Sequence, residues 1–123
     1  MCSSDLVVDD NEDAKNAMAE ALSLLGYELV TASDGPEALA VASARHPAIA
    51  LLDIGLPSMD GYELARRLRA IADADHLKLV AFTGYGMAAD RRRALAAGFD
   101  EHLAKPAGLE DIQRVIERLA RDP

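Results

Sequence analysis

Five short apolar runs, each followed by residues at helical spacing, constrain this sequence more than any other feature. The runs are Leu6-Val7-Val8, residues 28–32, 49–52, 77–82 and 100–104, each of strand length. Between them lie Ala14, Ala17, Met18, Ala21, Leu22 and Leu25, the stretch from Asp34-Gly35-Pro36 to Arg45, and Leu64, Ala65, Leu68, Ile71 and Ala72. Residues 88–97, rich in alanine, and then Leu109, Ile112, Val115, Ile116 and Leu119 complete the helical set. Local signals agree: the first helix opens at Asn11 or Glu12 with acids at its positive end, and Gly26 closes it. Pro36 is tolerated in a first turn, Pro47 stops the second helix, Asp60 is placed to cap the third and Gly98 to end the fourth. Strands alternating with helices predict βα units, hence an α/β, doubly wound parallel sheet with helices on both faces. Arg66, Arg67 and Arg69 are expected opposite the apolar stripe of the third helix, and residues 91–93 on a solvated face.

Composition narrows the function classes. With 123 residues the chain forms one domain, and with 4% aromatics its core must come from Leu, Val, Ile and Ala. A net charge of −8 argues against direct nucleic-acid binding and favours cations and basic partners. Cys2 is the single cysteine, which excludes an internal disulfide. No apolar run reaches membrane-span length and no signal segment opens the chain, so no membrane contact and a cytoplasmic location are expected.

Four of the five strands end on polar groups, and a parallel sheet brings those ends to one edge: Asp9 and Asp10, Asp53, Thr83, and Lys105. Crowded carboxylates repel and invite a hard divalent cation, magnesium or manganese. Asp53 can then act as a carboxylate nucleophile on phosphorus, with Lys105 and Thr83 meeting charge on the phosphoryl oxygens. Singly, each motif has a plainer reading: Asp9-Asp10 as caps, Asp53 as a loop carboxylate, Thr83-Gly84 and Lys105-Pro106 as turns. His46 and His76 lack spaced partners for a metal site. Two other uses of such a fold compete. A metal-dependent phosphatase with an aspartate nucleophile wants a general acid close behind Asp53, where Ile54-Gly55 supply none. A flavin or nucleotide carrier wants a Gly- or Ser/Thr-rich loop where Asp9-Asp10 stand.

Val7-Val8-Asp9-Asp10-Asn11, the run from Leu51-Leu52-Asp53 to Met59-Asp60-Gly61, Thr83-Gly84 and Lys105-Pro106 together resemble the receiver domain of two-component response regulators. The resemblance implies a flavodoxin-like five-stranded sheet of order 2-1-3-4-5 over residues 6–121, the strand order of chemotaxis receivers. It implies that Asp53 is the phosphoacceptor, that Asp10, Asp53 and the Gly55 backbone carbonyl bind the metal with Asp9 in support, and that Lys105 pairs with the phosphoryl group beside a cis bond to Pro106. Thr83 is then the switch hydroxyl, and His102 stands where the second, usually aromatic, switch residue falls. Gly55 and Tyr85 would flank the attacking water. The partner would be a histidine kinase or a histidine phosphotransfer domain, meeting the face formed by the helix over 88–97, the last strand and the last helix; the oligomeric state stays open. The sequence around Thr83 and His102 looks like receivers at the carboxyl end of hybrid sensor kinases. Residues 1–5 carry no period and are expected to be irregular and non-native, because a common sequencing-adapter sequence can encode them and the true chain would then begin upstream. Asp5, a charge at an apolar strand position, is expected to fray the first strand.

Overall fold

The computed structural model describes residues 5–54, 61–71, 77–83, 92, 96–104 and 108–121. Along the chain run β1 (Asp5–Val8), α1 (Glu12–Leu24), β2 (Leu29–Ala32), α2 (Gly35–Arg45), β3 (Ile49–Asp53), α3 (Gly61–Arg69), β4 (Lys78–Thr83), β5 (Glu101–Ala104) and α4 (Leu109–Arg121). The strands form one parallel sheet in the order β2-β1-β3-β4-β5, as the sequence predicts. The helix expected over 88–97 falls largely outside the described residues.

Alternation along each strand divides the core in two, because successive side chains leave a strand on opposite faces. Leu6, Val8, Ala50, Leu52 and Ala81 meet Ala38 and Ala42 of α2 and Leu64, Ala65 and Leu68 of α3. On the other face Val7, Ile49, Leu51, Val80 and Phe82 meet Leu22 of α1 and Ile112, Val115, Ile116 and Leu119 of α4. Local chemistry sets the helix ends. Asn11 Oδ1 accepts the Ala14 N–H at 3.0 Å and Asp34 Oδ1 accepts the Glu37 N–H at 2.8 Å, each capping a helix. His46 takes a left-handed conformation (φ 49°, ψ 61°) and ends α2 just before Pro47.

Three expectations are corrected. The apolar stripe of α1 is narrower than its spacing suggests: Ala14, Ala17 and Leu25 are exposed, while Lys15 is buried beside Leu22. Arg69 does not lie on a solvated face. At the amino edge of the sheet its Nε and Nη2 donate to the Gly98 carbonyl (3.0 and 2.7 Å), Nη2 reaches Asp100 Oδ2 at 2.5 Å, and Nη1 bonds the Leu77 carbonyl. Asp100 Oδ2 in turn accepts the Leu79 N–H at 2.8 Å, so a long flexible side chain clasps α3, β4 and the turn before β5. The amino edge of the sheet leaves carbonyls that need donors, a demand that helical periodicity does not register. Gly98 has φ +108° and would carry a Cβ only 3.2 Å from Arg69 Cγ, so glycine fits there on both counts.

The third correction concerns Asp5, which belongs to β1 rather than to an irregular lead-in. It is level with Leu29, donates its N–H to the Glu28 carbonyl at 2.8 Å, and is only 7% exposed. Strand pairing satisfies its backbone whatever the side chain, so the cost falls on the carboxyl: burial pushes its pKa up to about 6. Nearby, burial and the charges of Glu117 and Asp5 hold the Tyr27 phenol above its ordinary range.

Two stability outcomes follow. Asp5 binds a proton more tightly folded than unfolded, so its contribution is full below about pH 4 and is lost as pH rises through 6, about 2–3 kcal/mol in all. Urea unfolding of wild type and Asp5→Asn across pH 4–8 should show the variant gaining relative stability over that interval. Arg69→Met should lower unfolding free energy by about 1–3 kcal/mol at pH 7, since it strands the Gly98 and Leu77 carbonyls, a loss the same urea melts would read.

Candidate functional site

The carboxyl ends of β1 and β3 lie side by side because Val8 is level with Leu52. The next residues, Asp9 and Asp53, therefore leave the sheet at the same height. The Asp9 N–H donates to the Ala32 carbonyl at 3.1 Å, and Asp9 Oδ1 accepts the Asn11 N–H at 3.0 Å, which turns the chain directly into α1. Asp9 is thereby held mostly buried, while Asp10 projects to solvent. Asp53, half-buried, ends β3 level with Phe82, and the Ile54 N–H continues the ladder to the Phe82 carbonyl at 3.1 Å.

One carboxylate oxygen from each of Asp9, Asp10 and Asp53 lies within 4.8 Å of the others. An octahedral magnesium binds oxygen at about 2.1 Å, so opposite ligands stand about 4.2 Å apart and adjacent ones closer. The all-oxygen donor set fits a small hard cation, which would draw these carboxylate oxygens closer together. β4 ends on Thr83, level with Ala104 at the end of β5. The backbone positions leading to Thr83 and Lys105 therefore reach the same edge, one and two strands from Asp53. The Thr83 side chain, Gly55, Asp60, Tyr85, Lys105 and Pro106 lie outside the described residues. His102 is on β5, level with Ala81 and half-buried, on the face opposite Leu103. Its neighbour Glu101 pairs with Arg118 of α4 at 2.6 Å.

One contributor has no role on sequence grounds alone. Gly61, the first residue of α3, donates its N–H to the Ile54 carbonyl at 2.9 Å. A Cβ there would stand 2.7 Å from Ile54 Cα, 2.8 Å from Ile54 Cδ1 and 3.0 Å from the Asp53 carbonyl oxygen. The signal is present in the sequence as the glycine behind Asp60, but only the fold reveals that it packs on the backbone carrying Asp53.

Residues 6–117 match the family profile described as response regulator receiver domain. The chain is 38% identical over 111 residues to the sensor histidine kinase RcsC of Escherichia coli K12, spanning 90% of this chain and 12% of that protein. It is 36% identical over 116 residues to a probable transcriptional regulator, ycf27, of Cyanophora paradoxa, spanning 94% of this chain and 47% of that one. The chain thus spans half or less of the length of these relatives. Among solved structures, the chemotaxis protein CheY4 of Vibrio cholerae superposes with a TM-score of 0.92 at 26% identity, over 97% of this chain and 99% of that one. The receiver domain of a sensor histidine kinase from Pseudomonas aeruginosa PAO1, with magnesium coordinated in its active-site cleft, gives 0.89 at 30% identity over 99% and 100%.

Gly61→Ala should be costly at this site. A methyl group meeting main-chain atoms cannot be accommodated by a rotamer change, so a loss of about 1–3 kcal/mol is expected in urea melts, against well under 1 kcal/mol for Ala40→Gly on the exposed face of α2 once its helix propensity is subtracted.

Proposed function

Because the chain belongs to the response regulator receiver domain family, and is a receiver domain of two-component systems, we propose that Asp53 is its phosphoacceptor. The observation that carries this reading is the convergence of Asp9, Asp10 and Asp53 at the carboxyl edge of the sheet. Asp10, Asp53 and the Gly55 carbonyl would hold magnesium or manganese, with Asp9 orienting the turn through its bond to Asn11. A bound cation would offset the repulsion among the carboxylates and the charge on the incoming phosphoryl oxygens. An Asp53 oxygen attacks phosphorus, the P–N bond of a phosphohistidine breaks, and the imidazole leaves with its electron pair and takes a proton from solvent. Lys105 and Thr83 meet the transferred phosphoryl oxygens, and Thr83 with His102 passes the change to the face built from residues 88–97, β5 and α4.

The donor is a histidine kinase or histidine phosphotransfer domain in the cytoplasm. Among the described residues no helix is long and apolar enough to cross a membrane. Product and switch are the same covalent state, so the domain assists its own phosphorylation and hydrolysis and is not an enzyme acting on an external substrate. A phosphatase with an aspartate nucleophile finds no support among the relatives, and Ile54-Gly55 leave it without a nearby general acid.

Incubation with acetyl phosphate and magnesium, followed by intact mass, should add one phosphoryl group to the wild type, none to Asp53→Asn, and none in excess chelator. An adduct that persists in Asp53→Asn, or forms without a divalent cation, would overturn the assignment.

A further inference from the structure

Lys15 is the one buried cation among the described residues, only 4% exposed, and phosphoryl transfer as outlined makes no use of it. Its Nζ donates to Glu12 Oε1 at 2.9 Å and to Ser33 Oγ at 2.6 Å, and Ser33 Oγ donates to the same Glu12 oxygen at 2.6 Å. Three side chains thus close a ring between the first turn of α1 and the residue that follows β2. The Ser33 hydroxyl first, and the Lys15 ammonium next, hold the Glu12 carboxyl below its ordinary range.

Both sides of this ring run straight into the acidic turn. Ser33 follows Ala32, whose carbonyl holds the Asp9 N–H at 3.1 Å. Glu12 lies two residues beyond Asp10, and the Lys15 N–H donates at 2.9 Å to the carbonyl of Asn11, whose own N–H is bound by Asp9 Oδ1. Burying an ammonium costs several kcal/mol unless it is well paired, whereas methionine would fill the same channel without that penalty. The opposing force is equally specific. Carboxylates 4.8 Å apart or less push the Asp9-Asp10 turn away from Asp53, and the ring ties that turn back to β2.

We propose that Lys15 is a positioning residue, which through Glu12 and Ser33 braces the Asp9-Asp10 turn against β2 and so sets the affinity of the acidic cluster for its divalent cation. The inference rests on the metal-binding reading of these carboxylates. Without the brace, part of the population holds the turn splayed, and apparent affinity falls in proportion to the competent fraction. Supports one layer removed from ligands typically change metal affinity by 10–100-fold, and one acting through a backbone turn should change it by about 3–10-fold.

The test is Mn2+ titration followed by the electron paramagnetic resonance signal of free Mn2+, with Mg2+ competition, alongside thermal melts without metal. Lys15→Met and Ser33→Ala should each weaken Mn2+ binding about 3–10-fold, the double variant little more than either, while Ser33→Thr retains wild-type affinity. Metal-free melts of Ser33→Ala should stay within a few degrees of wild type, which separates bracing from loss of fold. Wild-type affinity in both Lys15→Met and Ser33→Ala would overturn the inference while leaving the metal site intact. Weakening only in Lys15→Met, matched by loss of its cooperative metal-free melt, would also overturn it by assigning Lys15 to packing. No Mn2+ binding by the wild type would overturn the parent reading and this one with it.

Discussion

Repulsion among three carboxylates governs the carboxyl edge of this sheet. Carboxylate oxygens within 4.8 Å of one another oppose each other when both groups are ionised. No flexible loop would keep Asp9, Asp10 and Asp53 together against that force. They are held because two of them continue directly from adjacent, fully buried strands, with Leu6, Leu51 and Leu52 almost wholly shielded from solvent. Backbone bonds from Asp9 to Ala32 and from Ile54 to Phe82 carry the ladder one residue past the side chains that need fixing. The hydrophobic sheet is thus what makes an electrostatically unfavourable arrangement persist.

Much of this is legible in the sequence because the signals are periodic and local. Strand runs, helix caps at Asn11 and Asp34, and the Pro47 stop all act within a few residues, and the parallel order follows from alternation plus crossover handedness. What escapes depends on distant chain. Arg69 reads as one of three arginines on a polar face, yet its partners Gly98 and Asp100 are about thirty residues away. Lys15 breaks the expected stripe of α1 because Ser33, eighteen residues on, supplies a polar lining to that one position. Asp5 differs for a related reason: side-chain preference argues against a strand, but pairing to Glu28 is a main-chain matter and wins. The candidate site residues at 55, 105 and the Thr83 side chain rest on the sequence motif, whereas Asp9, Asp10 and Asp53 also rest on distance.

The two edges of the sheet divide the labour. At the carboxyl edge, strand ends present carboxylates with short turns behind them, and Gly61 lets α3 approach close enough to lock the exit from β3. At the amino edge the polar groups are consumed internally, with Arg69 satisfying carbonyls that would otherwise face water or each other. Tyr62 near the start of α3 and Phe99 before β5, edge to face at 6.4 Å, join these two segments within the apolar core.

That asymmetry leaves β5 gripped by side chains at its amino end. Its root is clamped, since Gly98 and Asp100 are gripped by Arg69 and the Asp100 N–H is bonded to the Leu79 carbonyl. Its tip, Ala104, points toward the acidic edge. Main-chain pairing to β4 continues to Ala104, and the Glu101–Arg118 ion pair ties the first residue of the strand to α4, so β4, β5 and α4 are joined in series from the clamped end outward.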